Sequence, residues 1–241
     1  MQTPTKKTPV SKCINLARFA ETMFSKFPKN PALTALTATL AAARGTLTAS
    51  QDAYAKAISE IVHTRAEVRF ADYIADKGVR SAIRAAEEAD GRKNGKIVSM
   101  LAPQGITPII KPVGATQVKE MHDLEGRLEA AAGAWAGALA TRAEITTLRT
   151  NYEAALENRR AATQKASNAR AARDAAKEDF LDVYAEITAR VKAEFPRDRP
   201  MQDLFFDAVS EDGAPAEDAG DDDDDAAATP AAPPEEAPRP S

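Results

Sequence analysis

Leu33, Leu40, Leu47, Tyr54, Ile61 and Val68 recur every seven residues, and Ala75 and Ala82 extend the row. Three positions after each stands Leu36, Ala43, Ser50, Ala57, Thr64, Ala71, Gly78 or Ala85, so one seam position is mostly large and the other mostly small. A row with this period is buried along its length only by another helix lying beside it. The spacing therefore predicts one long helix and a helical partner. It names no substrate.

Local signals bound that helix. Asn30 followed by Pro31 is a start, an N-cap and a favoured first position. Gly91, Asn94 and Gly95 are a stop, giving a helix over 31–90, on the order of 90 Å if unbroken. Before it we expect a mobile basic arm over 1–9 and a short helix over 11–27. Ser11 caps that helix; Ile14, Leu16, Phe19, Met23, Phe24 and Phe27 line its apolar side, and Pro28 ends it. After the long helix, Pro103, Pro108 and Pro112 with Gly105 and Gly114 make helix implausible over 96–114, so this apolar stretch reads as a packed loop or irregular hairpin.

Helical periodicity resumes at Thr116 and runs to Phe195, before Pro196. Within it Leu148, Ala155, Ala162, Ala169, Ala176 and Val183 again step by seven. A row of alanines lets a second helix approach closely, and this one is the natural partner for the larger row from Leu33 to Val68. Folding the two helices back about Gly105 gives an antiparallel register in which facing residue numbers sum to about 211. That register sets Gly78 against Gly133 and His63 near Leu148. It also gathers Phe19, Met23, Phe24 and Phe27 with Tyr184, Ile187, Val191 and Phe195 at one end, where a last short helix over 201–209 adds Phe205 and Phe206. Whether Gly45 and Gly133 break the rods is open at this point. The expected fold is all-α, a long antiparallel helical hairpin or elongated helical bundle forming a single domain over 10–209, followed by a disordered acidic tail over 210–241 with five consecutive aspartates.

Composition agrees with thin helical seams, since aromatics are only 5% of the chain, too few for a thick globular core. The net charge of −4 hides an asymmetry between a basic first 30 residues and an acidic tail. The single cysteine, Cys13, excludes an internal disulfide and suits a reducing compartment. No stretch of about 18 apolar residues is present to cross a membrane. The apolar run after Lys12 is too short and too interrupted by Asn15, Arg18 and Glu21 for an export leader, so the expected location is cytoplasmic.

Catalytic equipment is sparse. The two histidines are His63 and His122. Glu60 and His63 have the one-turn spacing used in di-iron helical bundles, but the second such unit is missing, because the glutamates near His122 stand at the wrong spacing or in reversed order. Cys13 has no histidine or aspartate constellation around it, and Gly91 to Gly95 is too short for a phosphate loop and lacks its Gly-Lys-Ser/Thr ending. No catalytic, cofactor-binding or metal-binding residue is assigned, and no cofactor is expected. Two surfaces remain. One is an apolar tip, Met100, Leu101, Ile106, Ile109, Ile110 and Val113, suited to a protein partner or self-association. The other is a basic helix face, Arg159, Arg160, Lys165, Arg170 and Arg173, which with the basic arm could take a polyanion or nucleic acid under the influence of the acidic tail. The expectation is a non-enzymatic structural, scaffold or adaptor protein acting through helix surfaces and the tip, with polyanion binding as the alternative and a membrane surface disfavoured.

Overall fold

The computed structural model describes residues 3–208; the acidic tail expected over 210–241 lies outside the described residues. The described chain is all-α, an elongated bundle built on a long antiparallel hairpin. Its elements are α1 (Val10–Ser25), α2 (Pro31–Asp90), α3 (Lys96–Leu101), α4 (Thr107–Ile110), α5 (Ala115–Ala130), α6 (Ala138–Glu194) and α7 (Arg199–Leu204).

The local chemistry at the ends of α2 is as its residues require. The Asn30 side chain accepts from the backbone N–H groups of Ala32 and Leu33, and Pro31 occupies the first turn. Gly91 ends the helix in the left-handed region at φ 65°. The Asp90 carboxylate then accepts from the N–H groups of Ile97 and Val98 at 3.1 and 3.0 Å, capping α3. Gly95 is needed for that turn, because a Cβ there would lie 2.3 Å from the Asp90 Cγ. At α1 the expected Ser11 cap does not form: the helix begins at Val10 behind Pro9, with no side-chain cap.

Both long helices take part in the hairpin, but in a different register from the one expected. Asn30 donates to Glu194, Tyr54 lies against Arg173, Glu60 pairs with Lys165, Tyr152 donates to Asp72, and Gly78 faces Leu148. Facing numbers sum to about 225, a slip of about 14 residues or two heptads from the expected sum. Gly78 therefore meets Leu148, not Gly133. The cause lies in the expected helix over 116–195, which is two helices. A 3-10 turn at Ala131–Gly133 and a bend through Gly137 interrupt it. The Trp135 indole folds over Gly137 so closely that a Cβ there would lie 2.9 Å from its Nε1. The hairpin thus closes later in the chain, and α5 becomes a separate helix against α6. Gly45, by contrast, sits within an unbroken α2.

Two cores result. At one end α1, the start of α2, the end of α6 and α7 enclose Leu16, Phe24, Leu33, Leu40, Phe180, Tyr184, Val191 and Phe205. Phe205 is the hub, its ring centroid 5.3 Å from Phe24, 5.1 Å from Phe27 and 5.6 Å from Phe195. Cys13 is fully buried there, and burial pushes its thiol up to about 11, which makes it a packing residue and not a nucleophile. Residues 3–9 are held against the helices: Pro4 and Thr8 are buried, Lys6 pairs with Glu178, and Lys177 donates to the Lys6 carbonyl. The arm expected to move freely is anchored by these contacts.

At the other end the end of α2, α3, α4, α5 and the start of α6 enclose Val79, Ile83, Leu101, Ile109, Met121, Leu124, Leu128, Ile145 and Tyr152. Between the cores α2 and α6 pack as a pair, on a seam of Ala57, Thr64, Ala162 and Ala166. Arg173 is also buried in this seam, its guanidinium 4.4 Å from the Tyr54 ring centroid. A bulky cation among alanines has few places to sit, so it helps select one register from several heptad-spaced alternatives.

Candidate interaction surface

The apolar tip is mostly absorbed into the second core. Leu101 and Ile109 are buried, Met100, Ile106 and Ile110 are half-buried, and Val113 alone of the six stands exposed. The segment is not the loop or irregular hairpin expected: Pro103 and Gly105 separate two short helices, the second carrying Pro108 in its first turn, whose apolar sides turn inward against α2 and α5. As a docking tip it retains little apolar surface.

The basic face is likewise dispersed. Arg173 is buried over Tyr54 and bonded to Asp174, Lys165 pairs with Glu60, and Arg160 pairs with Glu157. Arg159 is half-buried and Arg170 exposed. Of the five cations, Arg173 is turned into the hairpin and Lys165 bridges across it, which leaves Arg159, Arg160 and Arg170 on the outer part of the face. His63 and His122 lie on different helices, beside Glu67 at 3.2 Å and Glu125 at 3.5 Å. Among the described residues no group of three or more histidine, cysteine, aspartate or glutamate side chains is arranged to hold a metal ion. No described helix is long and apolar enough to cross a membrane.

A different surface emerges on α2. Ile58, Val62, Phe70 and Tyr73 are large apolar side chains exposed at 40, 61, 67 and 61%. With Ala66 they step by four, four, four and three, which puts them on one stripe about 24 Å long. At 100° per residue the stripe lies roughly 150° around the helix from the seam residues Ala57, Thr64 and Ala75. Between the two cores, then, α2 is apolar on its inward and its outward face, and α6 covers the inward one.

No known family model, no curated protein and no solved structure matches this chain. The geometry of the chain is therefore the whole basis for a functional reading.

The ends of α2 show what a covered outer side looks like. Arg44, fourteen residues before Ile58, is held by Glu21 of α1 through two hydrogen bonds of 2.7 and 3.1 Å. Asp76, fourteen residues beyond Val62, accepts from Gln117 of α5 at 2.7 Å. Fourteen residues return a helix to within about 40° of the same direction, so a third helix lies near this side of α2 at both ends. The stripe falls in the gap between them.

The lower border of the gap is a polar node joining three helices. The Tyr152 hydroxyl of α6 accepts from the Gly114 N–H at 2.7 Å and donates to Asp72 of α2 at 3.1 Å, while Gln117 of α5 is buried against Asp76. Burial, set against the Gly114 N–H and reinforced by the Asp72 charge, pushes the Tyr152 phenol up to about 12. The folded chain thus resists its ionisation, so this contribution to stability is complete below the ordinary value of 10.0 and is lost as pH rises from there toward 12. Tyr152→Phe should destabilise the chain by about 1–3 kcal/mol at pH 8, because the Gly114 N–H and Asp72 lose their partner. It should also reduce the alkaline fall in the urea midpoint, with buried Cys13 and Tyr184, both pushed up by burial, supplying slope that remains. An unchanged slope would remove Tyr152 as its source.

The stripe was not among the surfaces expected from sequence, although its signal is present. Apolar residues at i, i+4, i+8, i+12 and i+15, offset by one from the seam row, mark a second face on the same helix. The strength of the seven-residue row hid it.

Proposed function

We propose that this chain is a non-enzymatic structural protein, a scaffold or adaptor, that engages another protein through the outward face of α2. The observation that carries the reading is the exposure of Ile58, Val62, Phe70 and Tyr73 on the part of α2 that, among the described residues, no third helix covers. Scattered exposed apolar side chains are ordinary, but four large ones in one helical row form a contiguous patch, the mark of an interaction site. The inward turn of the 96–114 side chains and the dispersal of the basic face shift the reading away from both surfaces expected from sequence. The reading places the protein in the cytoplasm, in keeping with a lone buried cysteine.

Site-specific photo-crosslinking tests it. A benzophenone amino acid at position 62 or 70 in the full chain should form protein adducts in the producing cells, whereas the same probe at exposed Lys192 on α6 should not. Equal yields at all three positions, or none at 62 and 70, would refute it.

A further inference from the structure

We infer that residues 3–9 form a strap latched by charge, which lifts from the bundle as a unit and uncovers Cys13 while the helices stay folded. This device stands apart from the α2 face. The strap is built to leave whole, because its polar groups serve one another. The Thr5 N–H donates to Thr8 Oγ1 at 2.9 Å, the Thr8 N–H to the Thr5 carbonyl at 2.9 Å, and the Lys7 N–H to Thr5 Oγ1 at 3.3 Å. This small turn keeps those bonds whether docked or released. Pro9 follows, and α1 begins behind it with no side-chain cap, so a swing of the chain at that point breaks no capping bond. Of residues 3–9 only Pro4 and Thr8 are buried, and so little buried surface opposes the entropy gained on release.

Charge holds the strap down. Lys6 pairs with Glu178 of α6 and feels the Asp182 carboxylate one turn further on, while Lys177 donates to the Lys6 carbonyl at 2.8 Å. One residue of the strap thus carries the latch. With side chains 78 and 59% exposed, the Lys6–Glu178 pair is weak and screened by salt, so the closed state holds by a small margin that the loss of one charge shifts several-fold. A modification that removes the Lys6 charge, such as acetylation, is the input this latch reads. Beneath the strap, the fully buried Cys13 thiol donates weakly to the Thr8 carbonyl at 3.9 Å, so lifting Thr8 opens one side of it. Cys13 is the single cysteine of the chain, and it serves here as the reporter of opening.

The test labels the full chain with excess N-ethylmaleimide, an uncharged thiol reagent, at urea concentrations below the unfolding transition. Cys13 should react at a rate nearly independent of urea, because release of so short a segment exposes little surface. Lys6→Gln should speed labelling about two- to five-fold, as expected for loss of an exposed pair. Glu178→Gln should do the same, and the two together should add little to either alone, since they remove one interaction. Lys6→Arg should label as the parent chain does. High salt should speed the parent more than Lys6→Gln. A rate that climbs with urea as steeply as global unfolding, or with the intermediate slope that lifting α1 requires, overturns the strap. So does an absence of labelling, or a rate indifferent to both Lys6→Gln and Glu178→Gln. A variant that labels faster but with the steep urea slope also counts against it, because the pair then acts on the whole fold.

Discussion

Replacing Phe24 by alanine should lower stability by about 3–5 kcal/mol, the cost of emptying a buried aromatic site that cannot fully collapse. Phe24 is buried between the end of α1 and the residues after α7, with ring centroids 5.3 Å from Phe205 and 6.4 Å from Phe206. Those rings are held in turn by Phe27, Phe195 and Tyr184, so removing one loosens contacts among segments far apart in sequence. The loss should be confined to one end. Leu124, Leu128, Met121 and Ile145 belong to a separate core, joined to the aromatic one through a seam of alanines. Native-state hydrogen exchange should accelerate in α1 and the last turns of α6 and stay unchanged in α5. Uniform acceleration across both ends would show a single cooperative core.

Arg149→Met should be nearly as damaging, about 2–4 kcal/mol at pH 7 by urea denaturation, because it strands a charge. The Glu125 carboxylate is almost wholly buried and accepts from the Arg149 Nε at 2.6 Å; Arg149 also reaches Glu153 at 3.1 Å. With the guanidinium gone, Glu125 keeps only the His122 Nδ1 at 3.5 Å among its ion-pair partners described here. Adding Glu125→Leu should recover most of the loss at pH 7, since the pair contributes far less than its half-removal costs. A deficit not relieved by the second substitution would mean that Arg149 acts through packing of its stem.

Much of the fold was legible because its determinants are local. Asn30, Pro31 and Gly91 set the ends of α2, and the heptad row from Leu33 to Ala82 required a helical partner. The alanine row from Leu148 to Ala176 was recognisable as that partner for the same reason. Register was not legible, because a seven-residue pattern slid by two heptads matches itself almost as well. What decides it is non-local: Arg173 over Tyr54, Lys165 with Glu60, Tyr152 between Gly114 and Asp72, and Leu148 in the space above Gly78. The bend at Gly133 to Gly137 was visible as a weak point, yet whether glycines bend a helix depends on what fills the space, here the Trp135 indole. The candidate surface followed the same logic. The prolines and glycines at 96–114 predicted irregular structure but not the direction in which Leu101 and Ile109 turn, and that direction depends on α5 being free to fold beside them.

The paired segment between the two cores also has a mechanical meaning. Two helices side by side form a plank, stiff against bending within their common plane and compliant across it, because resistance grows with depth in the direction of load. The aromatic end and the α5 end are thicker in that second direction, so thermal bending concentrates where Ala57, Thr64, Ala162 and Ala166 meet. A partner laid along Ile58 to Tyr73 would add depth in that compliant direction, so occupancy of that face would stiffen the segment that joins the two ends.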